Sequence, residues 1–435
     1  MNRLRLLFPV LFLLLALSLT SCWDRDELNQ LGVIVGVALD PGAGASEEVV
    51  EITTQTITPQ SQGQSSQGNQ AGGQPFENIS ATGQGPAEAS TRLALKSARR
   101  MFFGHTQLLV LGENLAERDI RLFMERPGLG FETRRAARVV VAKGVSGKEL
   151  LSGKVKLSRT PAEGMINLLD QQVRTGLIPD IRLRDFLARL NSETAAAIVP
   201  AFTLVSDNPA SDGKQGSELT AQSVGTAVFT DGRIAGYLSP TETRGLLWTQ
   251  GEVPLGVVNV RLPGSPTDQV IALQIRRNFA KTKVEVQDDR VTANIDIEVR
   301  ADISEYGILR DISKPRSFSI LNHQLSLVVQ NEVEKTVRKS QDELRADIFN
   351  FGEQLRRQDN QNWQRLAPIW DDIYPNIEVT VTVRAIMRHR GTTINPPGVR
   401  LIRSHSAAMH FAQNSASLGN GSTGSGGSTG SIGQA

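Results

Sequence analysis

One cysteine occupies a position that suggests a definite reaction. Cys22 is the single cysteine among 435 residues, so it can neither form an intramolecular disulfide nor share a redox motif or metal site with a second thiol. It follows Leu19, Thr20 and Ser21, one aliphatic residue and two small ones. A thiol in this setting can form a thioether, and the small residues leave the preceding peptide bond accessible to a peptidase. The tetrapeptide therefore predicts lipid attachment at Cys22.

The residues before Cys22 are organised like an export signal. Arg3 and Arg5 form a short basic start, and an apolar run from Leu6 to Leu19 follows. That run is shorter than the ~20 residues a membrane-spanning helix needs, which favours a cleaved signal peptide over residues 1–21. Residues 19–22 resemble the lipobox of bacterial lipoproteins, in which the cysteine receives an S-diacylglyceryl group and, after cleavage, an N-acyl chain such as palmitate. Two or more acyl chains hold a protein stably on a membrane.

Other combinations that are typical of enzymes do not stand out in the sequence. There is no P-loop pattern and no H-E-x-x-H pattern. Residues 426–430 match the nucleophile elbow of hydrolases, but a Gly/Ser-rich tail provides neither the strand before it nor the helix after it. Histidines occur at 105, 323, 389, 405 and 410, and none lies close in sequence to a plausible nucleophile. We therefore expect no catalytic residue, no cofactor and no metal site, and we interpret the chain as a non-enzyme.

The remaining polar and aromatic clusters have simpler interpretations. The carboxylate pairs Asp288-Asp289 and Asp371-Asp372 are expected to be solvated turn residues. Trp363, Trp370 and Tyr374 could form a carbohydrate-stacking platform, but core anchors for a helix packed on a sheet are favoured.

Charge and composition describe an ordinary globular chain. The formal net charge is +2, with 39% hydrophobic and 21% charged residues. This balance argues against a nucleic-acid partner, because nucleic-acid binding domains usually concentrate positive charge. The doublets Arg99-Arg100 and Arg134-Arg135 are interpreted as solvated surface.

Hydrophobic patterning predicts an α+β protein of several domains, with mixed or antiparallel sheets packed by helices. After the signal peptide we expect an N-terminal αβ region over 22–205, a linker over 206–222 and a C-terminal αβ region over 223–395, with a possible break near 265. A flexible Gly/Ser-rich tail is expected over 396–435. Residues 59–86 are rich in Gln, Ser and Gly and predict a low-complexity loop.

Three local patterns make finer predictions. Ala94, Ala98, Met101 and Phe102 are spaced as one face of a helix. The apolar residues of 291–299 alternate with polar ones as in a half-buried strand. Residues 319–349 predict one long helix.

Five blocks in a fixed order resemble the Ger(x)C family, the C subunit of bacterial spore nutrient-germinant receptors. The blocks are 22–28 (CWDRDEL), 100–113 with Phe103-Gly104-His105, 225–229 (GTAVF) followed by 242–248 (ETRGLLW), 347–353 (DIFNFGE), and 363–370. The similarity extends from Cys22 to about residue 391. It departs from the family pattern at Asp26, where a basic residue is common, and in the 59–86 segment and the tail.

The resemblance implies a non-enzymatic lipoprotein on the outer face of the spore inner membrane. Its partners would be membrane lipid, through Cys22, and the integral membrane A and B subunits of the receptor. It also implies αβ domains with mixed sheets, and it transfers no ligand-binding residue to this chain. A solute-binding lipoprotein of an ABC importer is the alternative, since it would carry the same anchor. A lipid-anchored hydrolase is a further one.

Overall fold

Two β-sheets organise the chain. The computed structural model describes residues 30–43, 47–57, 75–124, 135–206, 219–261, 270–287, 290–305 and 315–389. The larger sheet has nine strands. Eight follow the order β3-β2-β1-β5-β6-β7-β8-β9, and β4 pairs with β1 beside them. Its strands are β1 Leu31–Pro41, β2 Val49–Ile57, β3 Phe76–Gln84, β4 Arg100–Phe102, β5 Leu108–Gly112, β6 Arg138–Ala142, β7 Ala197–Ser206, β8 Leu219–Thr230 and β9 Arg233–Leu238.

The larger sheet is buried on both faces, which explains its continuous apolar strands. Along β1, Ile34, Val37 and Leu39 belong to one core cluster, whereas Val35 and Ala38 belong to another. Successive side chains of a strand point to opposite faces, and a register shift between Ile34 and Gly36 moves this alternation by one residue. The two clusters therefore lie on the two sides of the sheet. The central strands β1, β5, β6 and β7 are parallel, and the outer ones are antiparallel.

Helices cover the sheets and begin at clear sequence signals. Ser146 and Ser239 form capping boxes with Glu149 and Glu242, and Thr160 caps its helix through the amide of Glu163. These are the start signals that Ser/Thr followed three residues later by Glu predicts. The helices are α1 Pro86–Lys96, α2 Glu113–Ala116, α3 Arg121–Met124, α4 Gly147–Ser152, α5 Pro161–Thr175, α6 Leu183–Leu190, α7 Pro240–Gln250, α8 Pro315–Arg338, α9 Phe351–Gln358, α10 Asn360–Leu366 and α11 Trp370–Ile373.

The second sheet is mixed. It contains β10 Val257–Arg261, β11 Val270–Gln287, β12 Arg290–Glu305 and β13 Glu378–His389, in that order. The first three strands are antiparallel, and β13 is parallel to β12. A parallel neighbour needs a long crossover, and helices α8 to α11 supply it. The alternation predicted for 291–299 is confirmed, since the apolar residues Val291, Ala293, Ile295, Ile297 and Val299 are all buried.

The predicted class of mixed sheets packed by helices is confirmed, but three local predictions are wrong. The 59–86 segment is not a loop throughout, because 76–84 forms β3 along β2; residues 58–74 lie outside the described ranges. The helix predicted to include Met101 and Phe102 ends at Lys96, and residues 100–102 pair with β1 instead. The long helix predicted to reach Phe349 ends at Arg338 in a π-turn over Lys339–Glu343.

Two paired strands extend into the predicted linker at 206–222. β7 ends at Ser206 and β8 begins at Leu219, and they pair antiparallel from Ala197–Phe229 to Ser206–Leu219; residues 207–218 lie outside the described ranges. The described strands on both sides of the boundary therefore share one sheet. The division into N-terminal and C-terminal regions stays a prediction, and the break near 265 and the tail lie outside the described residues.

Candidate functional site: an anchor cysteine and a polar junction between the sheets

The predicted lipidation site is not among the described residues. Cys22 and the signal peptide precede residue 30, where the description begins, so lipid attachment stays a prediction. Within the described ranges, no group of three or more His, Cys, Asp or Glu side chains is placed to hold a metal ion. None of the helices in those ranges is long and apolar enough to cross a membrane.

The block 242–248 lies in α7 and forms the centre of a junction between the two sheets. Glu242 closes the capping box of α7 and is 6% exposed. Its carboxylate also accepts a hydrogen bond from Lys339 Nζ at 3.1 Å. Burial alone would raise the pKa of Glu242, but hydrogen bonds from Ser239 and Lys339 outweigh it and hold the pKa below its ordinary value. Glu242 is thus a buried ionised carboxylate that joins α7 to the residues following α8.

A second buried carboxylate strengthens the same contact. Glu332 on α8 accepts Arg244 Nε at 2.9 Å and Trp248 Nε1 at 2.8 Å, and Arg244 Nη2 binds its other oxygen. The side chains of Arg244 and Glu332 are only 15% and 10% exposed. A bidentate guanidinium–carboxylate pair at this depth fixes both distance and angle. Arg244 and Trp248 lie one helical turn apart on α7, so one carboxylate holds one face of that helix.

Gly245 permits the close crossing of α7 and α8. A Cβ at this position would lie 2.1 Å from Thr336 Oγ1 and 2.5 Å from the Glu332 carbonyl oxygen. The Thr336 hydroxyl lies 2.9 Å from the carbonyl of Glu242, within hydrogen-bond reach across the crossing. On the other side of α7, Thr243 Oγ1 donates to Thr226 Oγ1 on β8 at 3.0 Å. Residues of the 242–248 block thus contact both the larger sheet and α8.

The block 347–353 builds a second buried joint. Asp347 accepts the amides of Phe351 and Gly352 at 2.9 and 2.8 Å and Trp370 Nε1 at 3.2 Å. Burial raises the pKa of Asp347 to about 6, and these hydrogen bonds oppose the rise. Its backbone carbonyl accepts the amide of Ala196, the residue before β7, at 3.1 Å. One residue therefore caps α9, holds Trp370 and contacts the larger sheet.

The aromatic trio forms part of this joint rather than a platform for a carbohydrate. Trp363, Trp370 and Tyr374 are at most 5% exposed, and the two indole rings meet edge to face with centroids 5.3 Å apart. Tyr374 shares a hydrogen bond of 2.7 Å with Ser340 in the π-turn. The prediction that the trio anchors the core is confirmed. Asp371 and Asp372 are exposed, as predicted, but they lie in helix α11 rather than in a turn; Asp288 and Asp289 lie outside the described residues.

The 100–113 block ends in Glu113, whose carboxylate links two other segments of the larger sheet. Glu113 accepts Tyr237 Oη of β9 at 2.5 Å and the amide of Gly144 at 2.6 Å. Lys143 Nζ lies 4.1 Å from the centroid of the Tyr237 ring. Burial and the Glu113 carboxylate together raise the pKa of Tyr237. The phenol therefore remains a neutral donor, and the contact is structural.

A polar cavity of about 80 Å³ lies beside the Asp347 joint, bordered by Arg189, Glu193, Asp347 and Trp370. Arg189 Nη1 has no hydrogen-bond partner among the described atoms, and burial lowers the pKa of its guanidinium. Small-molecule sites usually enclose several hundred Å³. The cavity has room for a few water molecules, which would satisfy the buried guanidinium.

The described blocks thus form contacts within the molecule. The sequence did not predict these contacts. Glu332 and Thr336 were not singled out, because their neighbours on α8 carry no motif and their partners lie 84 to 94 residues away. The sequence signal that points to these contacts is the concentration of charged and aromatic residues in 242–248 and 347–353. This arrangement holds the two sheets in a fixed relative position. Within the described ranges, it does not align a nucleophile, a base and an acceptor.

Comparison with known proteins matches two family models to the chain. The model described as "Spore germination protein N-terminal domain" matches residues 24–204, and "Spore germination B3/ GerAC like, C-terminal" matches residues 224–391. Spore germination protein KC of Bacillus subtilis is 24% identical over 400 residues, covering 90% of this chain and 97% of that protein. Spore germination protein B3 of the same organism is 24% identical over 382 residues, covering 84% and 93%.

The fold is also that of a solved relative. The crystal structure of the GerBC protein matches with a TM-score of 0.51 at 16% identity, over 83% of this chain and all of that one. These relatives give no support to the importer alternative. With both family models matched in order over most of its length, the chain belongs to the spore germination B3/GerAC-like family.

Proposed function

We propose that this chain is the lipoprotein subunit of a spore nutrient-germinant receptor and is needed for the germination response to nutrients. Diacylglycerol on Cys22 would hold it on the outer face of the spore inner membrane, beside the integral A and B subunits. The observation that carries the proposal is the family match over 24–204 and 224–391, which begins two residues after Cys22.

The polar junction supports an interaction role rather than a catalytic one. Three charged side chains of the blocks 242–248 and 347–353 are largely buried and bind partners on other elements, those of Glu242, Arg244 and Asp347. Such contacts fix the geometry of an ectodomain and leave its outer surface to partners. The proposal is therefore a rigid binding subunit that carries out no reaction of its own.

Substitution at Cys22 tests the anchor. In the Cys22→Ala variant no thioether can form, so we expect an unlipidated precursor or a detached protein and a reduced nutrient response in a strain with no redundant receptor. Cys22→Ser serves as the control for side-chain size, and it should behave like the alanine variant because a hydroxyl does not replace the thiol in this modification. A full nutrient response from either variant would contradict the proposal.

Co-purification tests the partners. A tag placed after Asn414 would allow the chain to be recovered from spore inner membranes in mild detergent. We expect a transporter-like multi-span protein and a second large membrane subunit to accompany it. Recovery of an ABC permease, or of no membrane protein, would contradict the receptor assignment.

A further inference from the structure

A basic and partly apolar surface lies where the chain enters the larger sheet. We call it the basic patch and define it by Leu95, Lys96, Arg99, Arg100 and Phe102, all of which are exposed. Leu95 is 84% exposed and Phe102 36%. Residues 89–112 contain four basic and no acidic residues. The combination of exposed apolar and basic side chains is the composition of a membrane-surface contact.

Strand pairing places this patch beside the start of β1. Strand β4 runs parallel to β1, with Arg100 opposite Leu31 and Phe102 opposite Val33. Neighbouring strands lie about 4.8 Å apart, so the patch is next to the first residues of β1. Phe102 follows directly on Met101, which packs against the core and fixes the strand.

The length of chain before β1 limits how far this corner can be from a lipid anchor. Leu31 is nine positions after Cys22, and even a fully extended chain spans only about 30 Å over that distance. A lipid on Cys22 therefore keeps the basic patch close to the bilayer surface at all times. Burying an exposed leucine and bringing several cations to anionic headgroups are then both favourable.

We infer that the basic patch lies on the membrane surface, with Leu95 and Phe102 at the headgroup boundary and Lys96, Arg99 and Arg100 facing anionic phospholipid. The inference rests on the proposed anchoring at Cys22 and adds an orientation to it. The ectodomain is held at two points, the acyl chains and the basic patch, so it has one defined orientation on the membrane. A tether alone would let it rotate freely.

A fluorescent probe on Leu95 tests the orientation. Because Cys22 is the only cysteine and its thiol is consumed by the lipid, Leu95→Cys provides one reactive thiol in the full lipidated chain. The chain, labelled with a polarity-sensitive dye, would be reconstituted in vesicles of phosphatidylcholine with and without 30% phosphatidylglycerol. We expect a blue-shifted emission, quenched by nitroxide-labelled lipid, in the anionic vesicles only. Raising the salt to 1 M, where the Debye length is about 3 Å, should reverse the shift.

The second sheet offers a matched control surface. Strand β11 exposes Phe279, Arg277, Lys281 and Lys283. Like the basic patch, this surface combines a large apolar side chain with three cations. In the described residues, β11 pairs with β10 and β12 of the second sheet. A dye on Phe279→Cys should stay in water in both kinds of vesicle. Replacing Lys96, Arg99 and Arg100 by Gln should lower the ratio of bilayer-bound to free Leu95 probe about a hundredfold, because each charge contributes a factor of about five. The same change at Arg277, Lys281 and Lys283 should leave it unaltered.

The outcomes separate the inference from the anchoring. Mass spectrometry of the N-terminal peptide reports lipid on Cys22 independently of the dye. A lipidated, vesicle-bound chain whose Leu95 probe stays in water, or responds no more than the Phe279 probe, would overturn the inference and leave the anchor intact. A probe that responds only when a receptor membrane subunit is present would assign the patch to that protein and contradict lipid contact. An unlipidated chain would overturn both. Thermal unfolding at the wild-type temperature excludes misfolding of the variants.

Discussion

Removing the charge of Glu332 is the sharpest test of the junction between the sheets. In Glu332→Gln the guanidinium of Arg244 loses its counter-charge while its side chain remains only 15% exposed. Breaking a buried ion pair by removing one partner costs about 3–5 kcal/mol, because the other charge is left uncompensated. Arg244 keeps a long contact to the Val257 carbonyl at 3.4 Å. We therefore expect the lower end, about 3 kcal/mol of the free energy of unfolding.

Urea unfolding of the purified chain, followed by far-UV circular dichroism, measures this loss. A double-mutant cycle with Arg244→Met and Glu332→Gln isolates the pair, and we expect a coupling free energy of about 2 kcal/mol. Since the pair is shielded from solvent, the coupling should persist in 1 M NaCl.

A carboxylate with a largely exposed partner supplies the control. Glu298 on β12 binds Arg300 and Arg384, but Arg384 is 74% exposed. Glu298→Gln should cost much less than Glu332→Gln, as is usual for solvent-accessible pairs, and that cost should shrink in high salt. If Glu332→Gln were no more costly than Glu298→Gln, or its coupling to Arg244 vanished with salt, the idea of a desolvated junction would be refuted.

Three further predictions concern the same region. Gly245→Ala should destabilise the chain by about 2 kcal/mol in urea unfolding, because its Cβ would collide with Thr336 and force the crossing helices apart; a cost near zero would contradict the close crossing. Asp347 has a folded-state pKa of about 6, above the ordinary value of 3.8. Between about pH 4 and 6, its carboxyl is therefore protonated in the folded state and ionised in the unfolded state. The free energy of unfolding should fall by about 3 kcal/mol as pH rises through that window, and the fall should be missing from Asp347→Asn in unfolding curves measured at pH 4, 5, 6 and 7. Trp370→Phe removes the indole N–H that binds Asp347 and should cost about 1–2 kcal/mol; unchanged stability would show that this hydrogen bond contributes nothing.

Local sequence signals were enough for many of the elements. The capping box at Ser239 and the cap at Thr160 start their helices through local residues alone, because a cap is a contact within four residues. The alternation of 291–299 fixed both the strand and its buried face, because a period of two leaves one side of a strand apolar. These inferences needed no knowledge of the rest of the chain.

The wrong predictions arose where distant pairing overruled a local pattern. Met101 and Phe102 follow a helical spacing, yet they pair with β1 because that strand offers hydrogen-bonding groups beside them. Residues 76–84 are polar and Gly-containing, yet they form β3 because the whole length of β2 is available as a partner. In both cases the paired residues are at least 19 positions apart in the sequence.

The sequence by itself predicted the export signal and the anchor cysteine, and it determined the αβ class and the order of the blocks that resemble the family. All of these depend on residue type and on spacing within short windows. Only the tertiary structure revealed what the blocks 242–248 and 347–353 do. Their charges are neutralised by Glu332, Lys339 and the amides of α9. A buried charge is tolerated only beside its partner, and the identity of that partner is a property of the fold.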